Sequence, residues 1–516
     1  MSDGFLGLDI GTSGVKAVVI DARGAVKASL TTPMALSTPQ PGWAEQRPQE
    51  WWAAAVASLR RATRAAGRTR VAAVGLSGQM HSSVFLDGRG SVIRPALLWC
   101  DGRTSAECRE VTARLGEDQL RDWLANPALE GFTLPKVLWL RANEPERFAR
   151  LDKIVLAKDY VRYRLTGSLA TEPSDASGTL MFDTARRRWS EDLMRAVGLP
   201  PRLLPELGES SEVLGRVSAG AARLTGLVAG TPVVGGGADN ACGAAGVGVV
   251  SPGDAVASWG TSGTVLAPTA EPKVDPSLRA HTFCHVVPGT WYVMGVMLSA
   301  GGAFAWHRDV MARELKARRD GNLALNDEAQ EVPIGAGGVT FLPYLQGERT
   351  PHRDASARGA FVGLSLAHTR AHLTRAVIEG ICFGLRDSLS IVRGLGLPID
   401  SLLLTGGGAR SAFIRRIQAE VYGLPVVRVN REEGPAYGAA LLAAVGVGMF
   451  PDLATACRAT LKRLSPERPR PEAHRAYEEP YRRFQALYPA LKSWGTLAAR
   501  PPDLPRNKVR RSRVAS

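Results

Sequence analysis

Alternating apolar and polar positions mark two similar strand–turn–strand units in the chain. The first unit, FLGLDIGTSGVKAVVIDARG, starts at Phe5 and turns at residues 11–14. The second unit, DAVASWGTSGTVLAP, starts at Asp254 and turns at residues 260–263. Both turns read GTSG, and a short turn between two alternating segments is typical of a β-hairpin. The pattern therefore predicts two hairpins that arose by internal duplication.

A third pattern lies directly before the second hairpin. Residues 231–234 are predicted to end a strand, residues 235–237 form an all-glycine loop, and Asp239 begins an Ala/Gly-rich helix. The free N–H groups at a helix start favour an ionised carboxylate, which could accept a proton from a substrate hydroxyl. Asp239 is therefore a candidate general base. An ordinary helix cap is the alternative interpretation.

The remaining apolar spacing indicates an α/β protein. It predicts a helix over 43–64, a buried strand over 71–77, a mostly helical stretch over 105–225, strands over 339–344 and 401–405, and a long amphipathic helix over 373–389. A chain of 516 residues is too long for one core and predicts two domains. We place these domains at 1–248 and 249–490, followed by a basic tail without fixed structure at 491–516.

The GTSG turns are candidate phosphate-binding loops. Small residues let backbone N–H groups and threonine hydroxyls face phosphate oxygens. The candidate residues are Gly11, Thr12, Gly260 and Thr261. Asp9 precedes the first turn, whereas Trp259 precedes the second, so only the first hairpin offers a hard oxygen ligand for Mg²⁺.

The segment Gln79-Met80-His81 follows the strand predicted over 71–77. In doubly wound sheets, the carboxyl end of a parallel strand faces the crevice that binds ligands. His81 could donate a hydrogen bond to a sugar hydroxyl while Met80 packs on the carbon skeleton. A buried histidine with only protein partners is the alternative.

A triple glycine in GGGARS, residues 406–411, follows a predicted strand and precedes a helix, and such a turn can hold a nucleotide. It is no Walker A loop, because GKS or GKT is missing, and it lacks the GxGxxG spacing. Glu432 and Glu433 lie about where a ribose-binding acid would in a dinucleotide fold. A dehydrogenase would nevertheless leave the duplicated GTSG turns unexplained.

Charge and cysteine content exclude several classes of protein. The net charge is +15, but residues 500–516 alone contribute +5, and no nucleic-acid recognition motif accompanies it. The six cysteines form no CxxC pair, so we expect buried, reduced thiols rather than a zinc site or disulfides. The N-terminus lacks the pattern of a signal peptide, and the glycines in 226–250 argue against a membrane span. We therefore expect a cytoplasmic protein that binds neither nucleic acid nor membrane.

Several long segments, in order, resemble the FGGY carbohydrate kinases and, within that family, the xylulokinases. They are LGLDIGTSGVKAVVID, GQMHSSVFLD with RPALLWCDGR, GGGADNACGAAGVG, SWGTSGT, GERTPHRDASARGAFVGLSLAHTRAHLTRAVIEGICFGLRD and LLLTGGGARS. The resemblance runs from about residue 5 to residue 490. It implies an α/β fold of two ribonuclease-H-like domains, of the actin and hexokinase type, that close on a central cleft.

The resemblance also implies ATP and Mg²⁺ as co-substrates and a sugar as acceptor. It implies phosphorylation of the terminal hydroxyl of D-xylulose, with Asp239 as the base and Asp9 as the Mg²⁺ ligand. It further implies sugar contacts at Gln79, Met80, His81, Asp239 and Asn240, and adenosine contacts at Gly407, Gly408 and Ala409.

Two departures from the xylulokinase pattern keep other substrates open. Ser82 stands where xylulokinases usually have glycine, and the Met-His-Ser order is familiar from gluconate kinases; Cys100 replaces an asparagine. Gluconate, or another ketose or polyol, is the alternative substrate. A catalytically inactive ATP-binding sensor or scaffold is a different alternative, against which the presence of Asp9, Asp239 and both GTSG turns argues. The oligomeric state stays open, with a homodimer as one alternative.

Overall fold

The structure is a computed structural model that describes residues 2–318 and 320–497. Strands up to residue 238 are β1 (Ser2–Ile10), β2 (Gly14–Asp21), β3 (Val26–Pro33), β4 (Glu45–Gln46), β5 (Thr69–Gly78), β6 (Val84–Asp87), β7 (Ala96–Leu97), β8 (Leu151–Val155), β9 (Ala170–Thr171), β10 (Phe182–Asp183), β11 (Arg188–Trp189), β12 (Glu206–Leu207), β13 (Val213–Arg216), β14 (Pro232–Val234) and β15 (Gly237–Ala238). Helices up to residue 245 are α1 (Pro48–Ala65), α2 (Ser105–Gln119), α3 (Thr133–Asn143), α4 (Pro145–Ala149), α5 (Ala157–Thr166), α6 (Pro173–Ala176), α7 (Glu191–Val197), α8 (Ala219–Thr225) and α9 (Asp239–Ala245).

The later strands are β16 (Val256–Trp259), β17 (Gly263–Thr269), β18 (His281–Cys284), β19 (Trp291–Met297), β20 (Thr340–Leu342), β21 (Ala360–Val362), β22 (Leu402–Gly406) and β23 (Val426–Val427). The later helices are α10 (Gly301–Met311), α11 (Gly321–Gln330), α12 (Arg370–Gly394), α13 (Ala412–Tyr422), α14 (Pro435–Gly446), α15 (Leu453–Thr460) and α16 (Pro471–Leu497).

The two large sheets repeat one arrangement. The first has the order β13-β14-β5-β1-β2-β3, with β15 also pairing with β5, and the second has the order β18-β19-β17-β16-β22-β23. In the first, β1 and β2 form an antiparallel hairpin and β5 runs parallel to β1. In the second, β16 and β17 form the hairpin and β22 runs parallel to β16. Both predicted hairpins and the two-domain ribonuclease-H-like fold are thereby confirmed.

Three predicted elements differ from the structure. Helix α1 starts at Pro48 rather than at residue 43, because proline fits the first helical turn, where its missing N–H costs nothing. The strand predicted over 339–344 is only Thr340–Leu342. The stretch 105–225 contains short strands from β8 to β13 among its helices.

Helix α16 runs to Leu497, so residues 491–497 belong to that helix and not to the predicted tail. Residues 498–516, the rest of that tail, lie outside the described residues. Within the residues that are described, no helix has both the length and the hydropathy to cross a bilayer.

Helix α14 packs on the first sheet, although it follows the second sheet in the chain. A Cβ atom on Gly7 of β1 would lie 1.8 Å from the carbonyl oxygen of Ala436, and one on Gly75 of β5 would lie 1.9 Å from that of Ala439. Helix and strands therefore meet backbone to backbone. The core of the first sheet includes residues from the predicted C-terminal domain, and the boundary at 248/249 stays a prediction.

We expect Gly75→Ala to lower the free energy of unfolding by about 3 kcal/mol, because the new methyl group meets a helix carbonyl that cannot rotate away. Gly88→Ala is the matched control: a Cβ there has no atom within 4 Å, so we expect a change below about 0.5 kcal/mol. Denaturant unfolding measures both. Equal stability of the two variants would contradict the close contact.

Candidate active site

Asp239 is the first residue of helix α9 and lies beside the end of strand β5. Strand β15 pairs in parallel with β5 and sets Ala238 opposite Gly78, so Asp239 lies next to the segment that follows β5. Its Oδ1 accepts hydrogen bonds from the amide N of Asn240 at 2.8 Å and from the Asn240 side chain at 3.1 Å. The side chain is partly accessible to solvent.

The protonation of Asp239 differs from the expectation. Burial raises its pKa to about 7, the negative charge of Asp9 adds to the increase, and hydrogen bonds from Asn240 and from the Met80 backbone oppose it. The prediction that the helix start keeps Asp239 ionised is therefore wrong, because the helix start is not the dominant effect on the pKa of this residue. The loss of contact with water raises the pKa of Asp239 more than the N-terminus of this seven-residue helix lowers it.

Asp9 lies near the end of β1, opposite Lys16 in the β1–β2 register. Burial raises its pKa to about 6, while the positive charge of Lys16 lowers it. The Asp9 Oδ1 atom is buried and has no hydrogen-bond partner among the residues that the structure describes. An orphaned carboxylate oxygen fits a hydrated cation with few protein ligands, and the described residues hold no cluster of three or more His, Cys, Asp or Glu suited to a metal.

Lys16 is a functional candidate that the sequence analysis missed. Its Nζ donates to the carbonyl oxygen of Glu433 at 3.1 Å, so it links the first hairpin to the loop before α14. Its signal in the sequence is the position opposite Asp9 in the first hairpin, and this position can be recognised once the register of the hairpin is known.

His81 adopts a left-handed backbone conformation with φ of +66°. Its Nδ1 lies 2.5 Å from the carbonyl oxygen of Gly178, which can only accept, so Nδ1 carries the proton. Burial holds the pKa of His81 well below its ordinary value, so the ring is neutral and Nε2 is an acceptor. The expectation that His81 donates to a sugar hydroxyl is therefore wrong: the ring can accept from one.

The strained turn at His81 is held through its carbonyl oxygen. Three side chains donate to this oxygen: Ser83 Oγ at 3.1 Å, Thr133 Oγ1 at 3.2 Å and Lys136 Nζ at 3.0 Å. Lys136 also donates to Gly131 at 2.6 Å, and burial lowers its pKa to about 7. Lys136 was not among the predicted site residues, and its signal in the sequence was a lysine within the apolar run 134–140.

Met80 and Asn240 lie together beside Asp239. The Met80 sulfur is 3.6 Å from the Asn240 side-chain nitrogen and 3.8 Å from the Tyr292 hydroxyl. Met80 is buried, whereas Asn240 is partly accessible. The structure thus brings Met80, His81, Asp239 and Asn240 into one site, and Tyr292 joins them from the second half of the chain.

Gln79 is committed to protein partners. Its Oε1 accepts from Thr12 Oγ1 at 3.0 Å and from Ser82 Oγ at 3.1 Å, and its Nε2 donates to Gln46 at 3.3 Å. The Thr12 hydroxyl also accepts from Trp99 Nε1 at 3.0 Å. Gln79 therefore connects the first GTSG turn to the turn that contains His81.

Ser82 is fully buried, and its hydroxyl accepts from the backbone N of Trp99 at 3.3 Å while donating to Gln79. This hydroxyl therefore forms its hydrogen bonds with neighbouring protein groups. Cys100 is exposed, contrary to the expectation for all six cysteines, and the other five are buried.

The second GTSG turn and the triple-glycine turn lie side by side. Trp259 pairs with Gly406 across the β16–β22 register, and a Cβ on Gly408 would lie 2.5 Å from the Trp259 ring. The carbonyl oxygen of Gly260 accepts from the Gly301 amide at the start of α10 at 2.8 Å, and that of Thr261 accepts from the Gly302 amide at 2.9 Å. The predicted adenosine residues 407–409 thus adjoin one of the predicted phosphate turns.

Two family models match most of the chain. Residues 5–246 match the N-terminal domain of the FGGY family of carbohydrate kinases, and residues 255–447 match its C-terminal domain. A xylulose kinase from Lactococcus lactis subsp. lactis is 40% identical over 490 residues, covering 94% of this chain and 96% of that protein.

Two crystal structures have the same fold. Xylulose kinase from Rhodospirillum rubrum matches with a TM-score of 0.87 at 33% identity, covering 96% of this chain and 100% of that one. Gluconate kinase from Lactobacillus acidophilus matches with a TM-score of 0.89 at 26% identity and the same coverage of both chains. The chain therefore belongs to the FGGY family of carbohydrate kinases and is a sugar phosphotransferase.

Proposed function

We propose that this kinase transfers the γ-phosphoryl group of ATP to the terminal hydroxyl of D-xylulose, giving D-xylulose 5-phosphate and ADP. The observation that carries the proposal is the position of Asp239, a partly accessible carboxylate beside Met80, His81 and Asn240. The name of the Lactococcus lactis relative, xylulose kinase, supports this choice of sugar.

Asp239 accepts the proton of the sugar hydroxyl as the hydroxyl oxygen forms its bond to the γ-phosphorus and the bond from that phosphorus to the bridging oxygen of ADP breaks. A base with a pKa near 7 suits this task, because it is partly ionised at neutral pH and still basic enough to take the proton. Asn240 holds Oδ1 of that carboxylate, and Nε2 of His81 accepts from another hydroxyl of the sugar. Positioning supplies much of the catalysis in such reactions.

Asp9 would hold Mg²⁺ through its orphaned Oδ1, directly or through water. When bound, the cation would neutralise charge on the phosphates of ATP. The turns at Gly11–Thr12 and Gly260–Thr261 would grip those phosphates. The Thr12 hydroxyl already donates to Gln79, so the backbone amide of Thr12, rather than its hydroxyl, would contact a phosphate.

An assay of ADP release over D-xylulose, D-ribulose, gluconate and glycerol tests the substrate. We expect the highest kcat/KM for D-xylulose. Gluconate is the second candidate, because a gluconate kinase has the same fold and the Met80-His81-Ser82 order resembles that group. A preference for gluconate would replace the proposed sugar and leave the family unchanged.

We expect Asp239→Asn to lower kcat by about 10²- to 10⁴-fold, since the amide cannot accept the hydroxyl proton. ATP binding, measured by calorimetry, should survive, because Asp239 lies beside the sugar-facing residues. A variant with near-normal turnover would remove Asp239 from the mechanism.

The pH profile of kcat/KM should reflect the protonation of both Asp239 and Asp9. Asp239 acts in its ionised form, so kcat/KM should be flat above about pH 7 and fall about tenfold per unit below it. Protonation of Asp9, whose pKa is about 6, should steepen the fall below that pH. Direct measurement of ADP avoids any pH dependence of coupling enzymes. A profile flat down to pH 5.5 would contradict the assignment.

We expect Asp9→Ala to raise the Mg²⁺ concentration needed for half-maximal rate about tenfold and to lower kcat, with little change in the KM for sugar. Asp3→Ala is the matched control, because Asp3 lies on the same strand but is exposed and paired with Arg70. Its Mg²⁺ titration should equal that of the parent. Unchanged titration in Asp9→Ala would place the ion elsewhere.

A further inference from the structure

A buried segment, residues 172–178, contacts both the start of α9 and the His81 ring, and we call it the brace. The Oγ of Ser174 accepts a hydrogen bond from the amide of Ala238, the residue before Asp239, at 3.0 Å. The carbonyl oxygen of Gly178 accepts from Nδ1 of His81 at 2.5 Å. One short segment thus holds the residue before the candidate base through the Ser174 side chain and the imidazole through the Gly178 carbonyl oxygen.

The brace is fixed by the carboxylate of Glu172. This group accepts from the Ser174 amide at 2.8 Å, the Ser174 hydroxyl at 2.9 Å, the Asp175 amide at 3.0 Å and the Ser210 hydroxyl at 2.8 Å. Lys158 Nζ lies 3.4 Å from it. Glu172 is fully buried, so these partners replace the water that a carboxylate needs.

The charges around the brace balance each other. Lys158 and Arg162 pair with Asp159 at 2.7 and 2.8 Å, and Lys158 also faces Glu172, so two cations meet two anions. Asp175 lies 3.4 Å from Lys158, but neither of its carboxyl oxygens has a hydrogen-bond partner within the described part of the chain. Burial raises the pKa of Asp175 well above its ordinary value, which favours its neutral form.

We infer that the brace positions the reacting groups, with Ser174 as the positioning residue for Asp239. The Ser174 hydroxyl donates to Glu172 and accepts from Ala238, so it transmits the fixed position of Glu172 to the start of α9. Space at this point is tight, because a Cβ on Gly237 would lie 2.3 Å from Val286 and 3.3 Å from Ser174 Oγ. The inference rests on the proposed role of Asp239 as the base.

Ser174→Ala tests the inference, with Ser210→Ala as its matched control. Each change deletes one fully buried hydroxyl that donates to Glu172, but only Ser174 reaches Ala238. We expect similar decreases in Tm. Well below both melting temperatures, kcat should fall about tenfold in Ser174→Ala and stay within about twofold of the parent in Ser210→Ala, because small displacements of a reacting group are costly. The KM for ATP should not change in either variant.

Equal loss of kcat in the two variants, or normal kcat in Ser174→Ala, would overturn the inference. If Ser174→Ala does not fold, Ser174→Cys takes its place, since a thiol keeps the size but accepts hydrogen bonds weakly; normal kcat there would overturn the inference equally. Asp239→Asn, assayed in parallel, separates the two claims. Turnover retained in Asp239→Asn refutes the general base, whereas an inactive Asp239→Asn with a fully active Ser174→Ala refutes only the brace.

Discussion

The backbone-to-backbone contact of helix α14 with strands β1 and β5 is the constraint on which the site depends. Glycines at positions 7 and 75 let the helix lie directly on the sheet, and a Cβ on Gly438 would lie 2.0 Å from the carbonyl oxygen of Cys242 in α9. Strand β1 carries Asp9, β5 leads to Met80 and His81, and α9 starts with Asp239. One helix from the second half of the chain therefore supports all three elements, and interiors packed this closely transmit displacements.

Two carboxylates in one partly buried site influence each other's protonation. Burial raises the pKa of both Asp9 and Asp239, and the charge of Asp9 raises that of Asp239 further. A cation bound at Asp9 would cancel the second effect and favour the ionised base. If Asp9 holds a cation and Asp239 accepts a proton as proposed, ordinary electrostatics would couple the two events.

The sequence predicts the parts of the site that depend on local patterns. Both GTSG hairpins and the helix that starts at Asp239 follow from alternation and glycine placement over a few residues. The pKa of Asp239 does not follow, because it depends on how much water the folded chain removes. Lys136 bonds to His81, 55 positions away, and Ser174 bonds to Ala238, 64 positions away. No local pattern reveals which distant amide or carbonyl group will bond to a buried side chain.

The hydrogen-bond acceptors of the site suit the hydroxyl groups of the proposed sugar. Asp239 is an acceptor when ionised, and the neutral His81 ring offers Nε2, so both suit the hydroxyl donors of a sugar. A gluconate carboxylate would add a third negative charge near Asp9 and Asp239. Two cations act on His81: Arg349, which is partly accessible, and Lys136, which is fully buried beneath the His81 turn and donates to two backbone carbonyls. Because the Ser82 hydroxyl is also committed, the Met-His-Ser order by itself gives no donor for a carboxylate and is no evidence for gluconate.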